Sequence, residues 1–233
     1  NYDRAISKWA IVKVNEDGTH TLVSHARYAD DVIAKYSAEK CEFKGKKGIA
    51  AGGGSKYIAD FDSLDVHSIT QNIVLSTIIS TTRGGGFTQP YYYGGRTYYI
   101  NTGSVAGYDA TLKAAQKKDI VVEAIILTPT GSGYTDPECT GGYYTMPNMT
   151  TALATNYYAA SLDYLARRYS TGENGRIHHW IMHNEVDQNL VWTNMGTQPQ
   201  MRYVDTYEKS MRIVSNIVRQ YDQNALILGS YTH

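Results

Sequence analysis

The chain has 233 residues, 22 Lys and Arg against 22 Asp and Glu, and 42% hydrophobic residues, the make-up of a globular chain able to bury a substantial core rather than a disordered one. A net charge of +0 offers no field to phosphate backbones or acidic lipids, so neither nucleic acid nor membrane is an expected partner and a small neutral substrate fits better. No apolar run reaches the roughly 18 residues of a membrane span, and Asn1-Tyr2-Asp3-Arg4 opens no signal-peptide pattern.

Two cysteines, Cys41 and Cys139, supply neither a disulfide framework nor a paired-Cys zinc site, leaving one bridge or two free thiols. The surplus is in tyrosine, 21 against 3 Phe and 3 Trp, a residue suited to surfaces that present a flat apolar face with a hydroxyl at its tip.

In chain order, Trp9, Ile11 and Val14 precede Asn15-Glu16-Asp17-Gly18, and Thr21 to Val23 follow it. This strand-period pattern around an Asp-Gly turn predicts a β-hairpin, and residues 1–45 are read as an accessory hairpin packed on the main core. From Lys46 the pattern changes to short apolar runs alternating with helical periodicity, the mark of βα units. A weak strand at Gly48 to Ala51 leads through Gly52-Gly53-Gly54 to Ser55, expected as the N-cap of a helix carrying Ile58, Phe61 and Leu64. A second strand is expected over Ser68 to Ile79. Tyr91-Tyr92-Tyr93 and Tyr98-Tyr99 then flank Gly94-Gly95, a second hairpin. A helix with Tyr108, Leu112 and Ala115 delivers the chain to a third strand, Ile120 to Leu127, apolar enough for burial on both faces.

A loop of about twenty residues, Pro129 to Thr150, precedes a helix with Tyr158, Leu162, Leu165 and Tyr169 on one stripe. The fourth strand is Ile177 to His183. After Pro199, a helix aligns Val204, Tyr207, Met211, Val214, Val218 and Tyr221, and a fifth strand spans Leu226 to Gly229. This α/β series suits a (β/α)8 TIM barrel or an open doubly wound sheet. On the barrel reading, residues 46–233 form a TIM-barrel-like domain truncated at strand five. Its open edges make the remaining barrel segment or another chain an expected partner.

The stretch Ile177-His178-His179-Trp180-Ile181-Met182-His183-Asn184-Glu185-Val186-Asp187 is a buried-looking strand ending in an amide and a carboxylate, at the sheet edge where ligands bind. A carboxyl desolvated beside apolar groups gains proton affinity, as a general acid near neutral pH requires. Sugar rings stack on aromatic faces, so Trp192, Tyr143, Tyr144 and Tyr91 to Tyr93 are candidates for a binding platform, with loop packing as the alternative. On a strand, His179 and His183 stand about 13 Å apart at roughly 3.3 Å per residue, too far to share an ion, so no metal is expected. Gly52-Gly53-Gly54-Ser55-Lys56 matches neither phosphate-loop spacing, no G-x-S-x-G occurs, and Asn148-Met149-Thr150 is a sequon only where that pathway operates.

Asn184-Glu185 closing the fourth strand of a βα series resembles the signature of the clan A retaining glycoside hydrolases. Tyr108-Asp109-Ala110 with Ala115-Gln116-Lys117-Lys118, and Tyr164-Leu165-Ala166-Arg167-Arg168-Tyr169, are similar to the clan's segments before strands three and four. Ser7-Lys8-Trp9, Ala26-Arg27-Tyr28, Lys46-Lys47-Gly48 and His183-Asn184-Glu185-Val186 through Trp192 and Met195-Gly196 resemble an uncharacterised bacterial domain family expected to be such a barrel. The resemblance implies retaining hydrolysis of a poly- or oligosaccharide without cofactor, with Glu185 as acid/base and Asn184 on the sugar 2-hydroxyl. The nucleophile would end a seventh strand, beyond this sequence. Trp192, Asn72, His183, Tyr231, His233 and Tyr143 are the implied substrate contacts, and a secreted or cell-surface bacterial location is implied. Where the clan commonly has an Arg at the end of strand two, Gln71-Asn72 stand instead. The rival reading is a carbohydrate-binding or scaffold module on the same barrel, and a third is a nucleotide-binding doubly wound domain.

Overall fold

The computed structural model describes residues 4–50 and 54–232. A 3-10 turn, Arg4–Ile6, leads into an antiparallel hairpin of β1 (Val12–Val14) and β2 (His20–Leu22). Gly18, at φ 79°, closes the turn with its N–H on Asn15 O at 3.0 Å. Asp17 Oδ1 accepts the Thr19 N–H at 2.9 Å, the local bond that makes Asp-Gly a turn signal. Every strand residue of this hairpin is exposed. Ile6, buried against α5 described below, joins the N-terminal segment to the core.

β3 (Gly48–Ile49) follows, and the expected Gly52-Gly53 turn lies outside the described residues. Gly54, at φ 90°, caps α1 (Ser55–Ile58), which tightens into a 3-10 turn, Ala59–Phe61. The expectation of Ser55 as N-cap is therefore corrected: Ser55 is the first helical residue, and the positive φ before it needs glycine. Ile58 and Phe61 are buried, but Leu64 is exposed, because helical periodicity ends before it.

The single strand expected over Ser68 to Ile79 is two. β4 (Ser68–Val74) ends at a 3-10 turn, Leu75–Thr77, and β5 (Ile79–Ser80) belongs to another sheet. There it pairs with β7 (Arg96–Asn101), the partner of β6 (Phe87–Tyr93) across Gly94-Gly95. Both glycines have positive φ, 55° and 81°, as the tight hairpin turn requires.

The Asn101 side chain accepts the N–H groups of Gly103 and Ser104 and caps α2 (Thr102–Lys117). β8 (Val121–Leu127) then leads through the long loop to α3 (Ala152–Tyr169), capped by Thr151. All four stripe residues of α3, Tyr158, Leu162, Leu165 and Tyr169, are fully buried. β9 (His179–Ile181), the short α4 (Asn189–Trp192), α5 (Gln200–Val218) and β10 (Leu226–Leu228) complete the order. On α5 the buried face is Ile213, Val214, Ile217 and Val218, while Val204 is exposed and Tyr221 lies past the helix end.

Among the described residues the main sheet runs β3-β4-β8-β9-β10, every pair parallel, so spatial order equals chain order. α2, α3 and α5 share one core with Ile69 and Ile73 of β4, Val122, Ala124 and Ile126 of β8 and Trp180 of β9. An unreversed order with the helices on one face is the winding of a (β/α)8 barrel. A doubly wound sheet reverses at a switch point and carries helices on both faces, which removes that fold as an alternative. The opposite face holds Asn72, Glu123, Ile125, Leu226 and Leu228, exposed or half-buried, together with Val121, Leu127, His179 and Ile181, which are buried; Phe43 stacks on the His179 ring there. Residues 35–39 run beneath the sheet, where Asn224 and Arg176 donate to the carbonyls of Ala38 and Glu39. Cys41 and Cys139 are both free thiols.

Candidate active site

β9 pairs only as far as Ile181, and the chain then turns across the C-terminal edge of the sheet. The exit of β10 grips this turn: Met182 N donates to Leu228 O at 2.8 Å, Val186 N to Ser230 O at 3.0 Å, and Glu185 N to Ser230 Oγ at 3.2 Å. Glu185 itself sits at φ 37°, a left-handed conformation uncommon for a residue with a Cβ. Its carbonyl accepts the Gln188 N–H at 2.8 Å, starting the turn that leads into α4. One helical turn later the indole Nε1–H of Trp192 donates to Glu185 Oε2 at 2.8 Å. The indole lies on the Tyr144 ring with centroids 5.1 Å apart and planes 11° off parallel.

The loop after β8 and the loop after β9 are joined beneath that aromatic pair. Tyr144 N donates to Val191 O and Asn194 N to Tyr144 O, both at 3.2 Å. Buried Asn194 accepts the N–H groups of Thr140 and Gly196 through Oδ1 and donates to Leu190 O. Buried Thr145 shares its one hydroxyl proton between the carbonyls of Met146 and Asn194, at 2.9 and 3.0 Å. This closed exchange of bonds gives an otherwise irregular loop one shape.

The expected site residues do not all meet here. Asn184 is half-buried beside Glu185 at the sheet edge. Tyr143 and Tyr231 are 80% and 63% exposed, next in sequence to Tyr144 and Ser230. Asn72 is exposed on the face away from the helices, but β4 continues to Val74, so it stands mid-strand rather than at the strand end. His183 is corrected: it is 1% exposed, with its ring against those of Tyr158 and Tyr207. Its Nδ1 is 2.9 Å from Ile126 O, and burial lowers its pKa to about 4. That geometry keeps it neutral and closed off from the mouth. His233 lies outside the described residues.

Tyr91 is also not a platform residue, since its hydroxyl donates to Asp163 of α3 at 2.5 Å and the second hairpin packs along the helices. His179 turns its Nδ1 to the Leu226 N–H at 3.2 Å, a partner unrelated to that of His183. Among the described residues no group of three or more His, Cys, Asp or Glu is arranged to hold a metal ion. The residues that sequence reasoning missed are Ser230, Thr145 and Asn194. Their roles are bonds between loops distant in the chain, for which a sequence carries no local signal.

Among curated proteins, none matches this sequence. Among solved structures, a glucosidase from Croceicoccus marinus superposes with a TM-score of 0.50 at 13% identity, over 84% of this chain and 40% of that one. A β-glycosidase from the hyperthermophile Thermosphaera aggregans gives 0.47 at 13% identity, over 75% and 42%. The GH53 catalytic domain of Ignisphaera aggregans gives 0.42 at 13%, over 82% and 53%. The first likeness shows a shared barrel-type fold, and this chain spans about two fifths of that glucosidase's length. The sequence profile of the Family of unknown function (DUF5722) matches residues 39–233.

Proposed function

We propose that this chain, which belongs to the Family of unknown function (DUF5722), is the part of a retaining glycoside hydrolase that carries the proton donor, Glu185. The observation that carries the reading is the place of Asn184-Glu185, at the C-terminal edge of the fourth parallel strand of a barrel-wound sheet. Catalytic groups of such barrels gather at that edge. In this reading Glu185 protonates the glycosidic oxygen and then deprotonates the attacking water, while Asn184 holds the sugar 2-hydroxyl. The nucleophilic carboxylate, about 5 Å from the first in retaining enzymes, is supplied by barrel strands beyond β10 or by another chain. Tyr143 and Tyr231, exposed at the mouth, offer ring faces to a poly- or oligosaccharide.

The test is Glu185→Gln in the full-length protein. The expected result is loss of hydrolysis by at least about a hundredfold, the usual size of a general-acid contribution, with oligosaccharide binding by calorimetry retained. Full turnover in that variant overturns the assignment. Binding with no turnover in the parent protein would favour the carbohydrate-binding reading, to which the Gln71-Asn72 pair in β4 is the pointer.

A further inference from the structure

The two oxygens of the Glu185 carboxyl have unlike surroundings. Oε2 accepts the Trp192 indole N–H at 2.8 Å, whereas Oε1 takes no hydrogen bond from the described residues. The indole is held in place, with one face covered by Tyr144. Tyr144 in turn is pinned through its backbone to Val191 and to Asn194. From the other side Ser230 Oγ fixes the Glu185 N–H. Trp192 is half-buried, with one ring face on Tyr144 and its polar edge committed to Glu185.

The geometry points to Trp192 as a positioning residue that divides the Glu185 carboxyl into a held oxygen, Oε2, and a proton-carrying oxygen, Oε1, turned to the substrate. This deepens the hydrolase reading and rests on it. As the glycosidic C–O bond breaks, its electron pair stays on the leaving oxygen, which takes the proton from Oε1. The carboxyl becomes a carboxylate, and the charge reaching Oε2 strengthens the indole bond, so the interaction is tightest where the barrier lies. In the second half-reaction water gives a proton to Oε1 while its oxygen bonds the anomeric carbon and the nucleophile departs, restoring the acid. Trp192 touches no reacting atom in either step.

The test uses Trp192→Phe in the full-length protein, which keeps a ring on Tyr144 and removes the N–H. The probes are phenyl and 2,4-dinitrophenyl glucosides, galactosides and xylosides, since a dinitrophenolate leaves without a proton and a phenolate does not. The expected result is a fall in kcat/KM of roughly tenfold or more on the phenyl glycosides, the worth of one hydrogen bond to a charged group. On the dinitrophenyl glycosides the loss stays within about twofold, and KM is little changed. Equal losses on both series, or a rise in KM alone, overturn the proposal in favour of a stacking role. If Trp192→Phe does not fold, Tyr144→Leu, which frees the indole, gives the same leaving-group pattern at smaller size.

A second readout is independent of turnover. The indole N–H resonance that disappears in Trp192→Phe is expected to move in Glu185→Ala while those of Trp9 and Trp180 stay. No movement overturns the clamp in an active or inactive protein. Movement in a wild type that cleaves none of the probes overturns the proton-donor role and the hydrolase reading together, and leaves only the contact.

Discussion

The two faces of the parallel sheet share one backbone and differ in what they meet. Toward the helices, Ile73, Val122, Ala124, Ile126 and Trp180 are fully buried. Away from them Asn72 is exposed, and Leu226, an apolar side chain, is 49% exposed. The helical layer therefore carries most of the core, while the inner face is mixed: Val121, Leu127, His179 and Ile181 are buried there, and Asn72 and Leu226 are left exposed. Glu185 belongs to the edge of that second surface, and the bonds that fix it come from loops and not from the core.

The largest effect that would test this division is Trp180→Ala. Removing the largest fully buried side chain on the helix side should cost about 3–5 kcal/mol, measured by urea denaturation. A cost below about 1 kcal/mol would mean that the helix side is not the load of the fold.

Next in size is acid. His178 and His183 both have pKa values lowered by burial to about 4, against an unfolded value of about 6.5. Folded-state values below unfolded ones mean that the unfolded chain binds more protons between those limits, so stability falls as pH drops from about 6.5 to 4. The His183 share of that loss is about 3 kcal/mol, so the His183→Asn variant should show a fall in denaturant midpoints that is shallower by that amount. An unchanged midpoint across this window would contradict the buried, neutral state.

The smallest effect is expected on the inner face. Leu226→Ser should change stability by about 0.5 kcal/mol or less, as for exposed positions generally. A loss above about 2 kcal/mol in the full-length protein would show that barrel strands beyond β10 cover this residue there.

Elements governed by neighbours along the chain were legible in the sequence. The Asp17-Gly18 turn, the Gly94-Gly95 hairpin, the α3 stripe and the apolar run of β8 all follow from local period or φ demand. What misled was apolar character without its cause. Ile78 and Ile79 extend the apolar run of β4, yet a 3-10 turn at Leu75–Thr77 sends them to another sheet, because the partner of Ile79 is Ile100, twenty-one positions on. His183 reads as a strand-end ligand, but the turn after Ile181 directs it between Tyr158 and Tyr207. At the site, the position of Glu185 was legible from the strand count. The hydrogen bond that holds it was not, because Trp192 reads equally well as a stacking surface.

The unreversed strand order has a consequence for how the chain is made. Synthesis delivers β3 first and β10 last, and each of β4, β8, β9 and β10 meets as its partner the strand of this sheet that emerged just before it. No strand has to be inserted between two already paired, so the sheet can lengthen at one side only, in step with translation. Asp163 ties the early and late parts of the chain together, since its carboxylate accepts the phenol of Tyr91, made before it, and that of Tyr221, made after it.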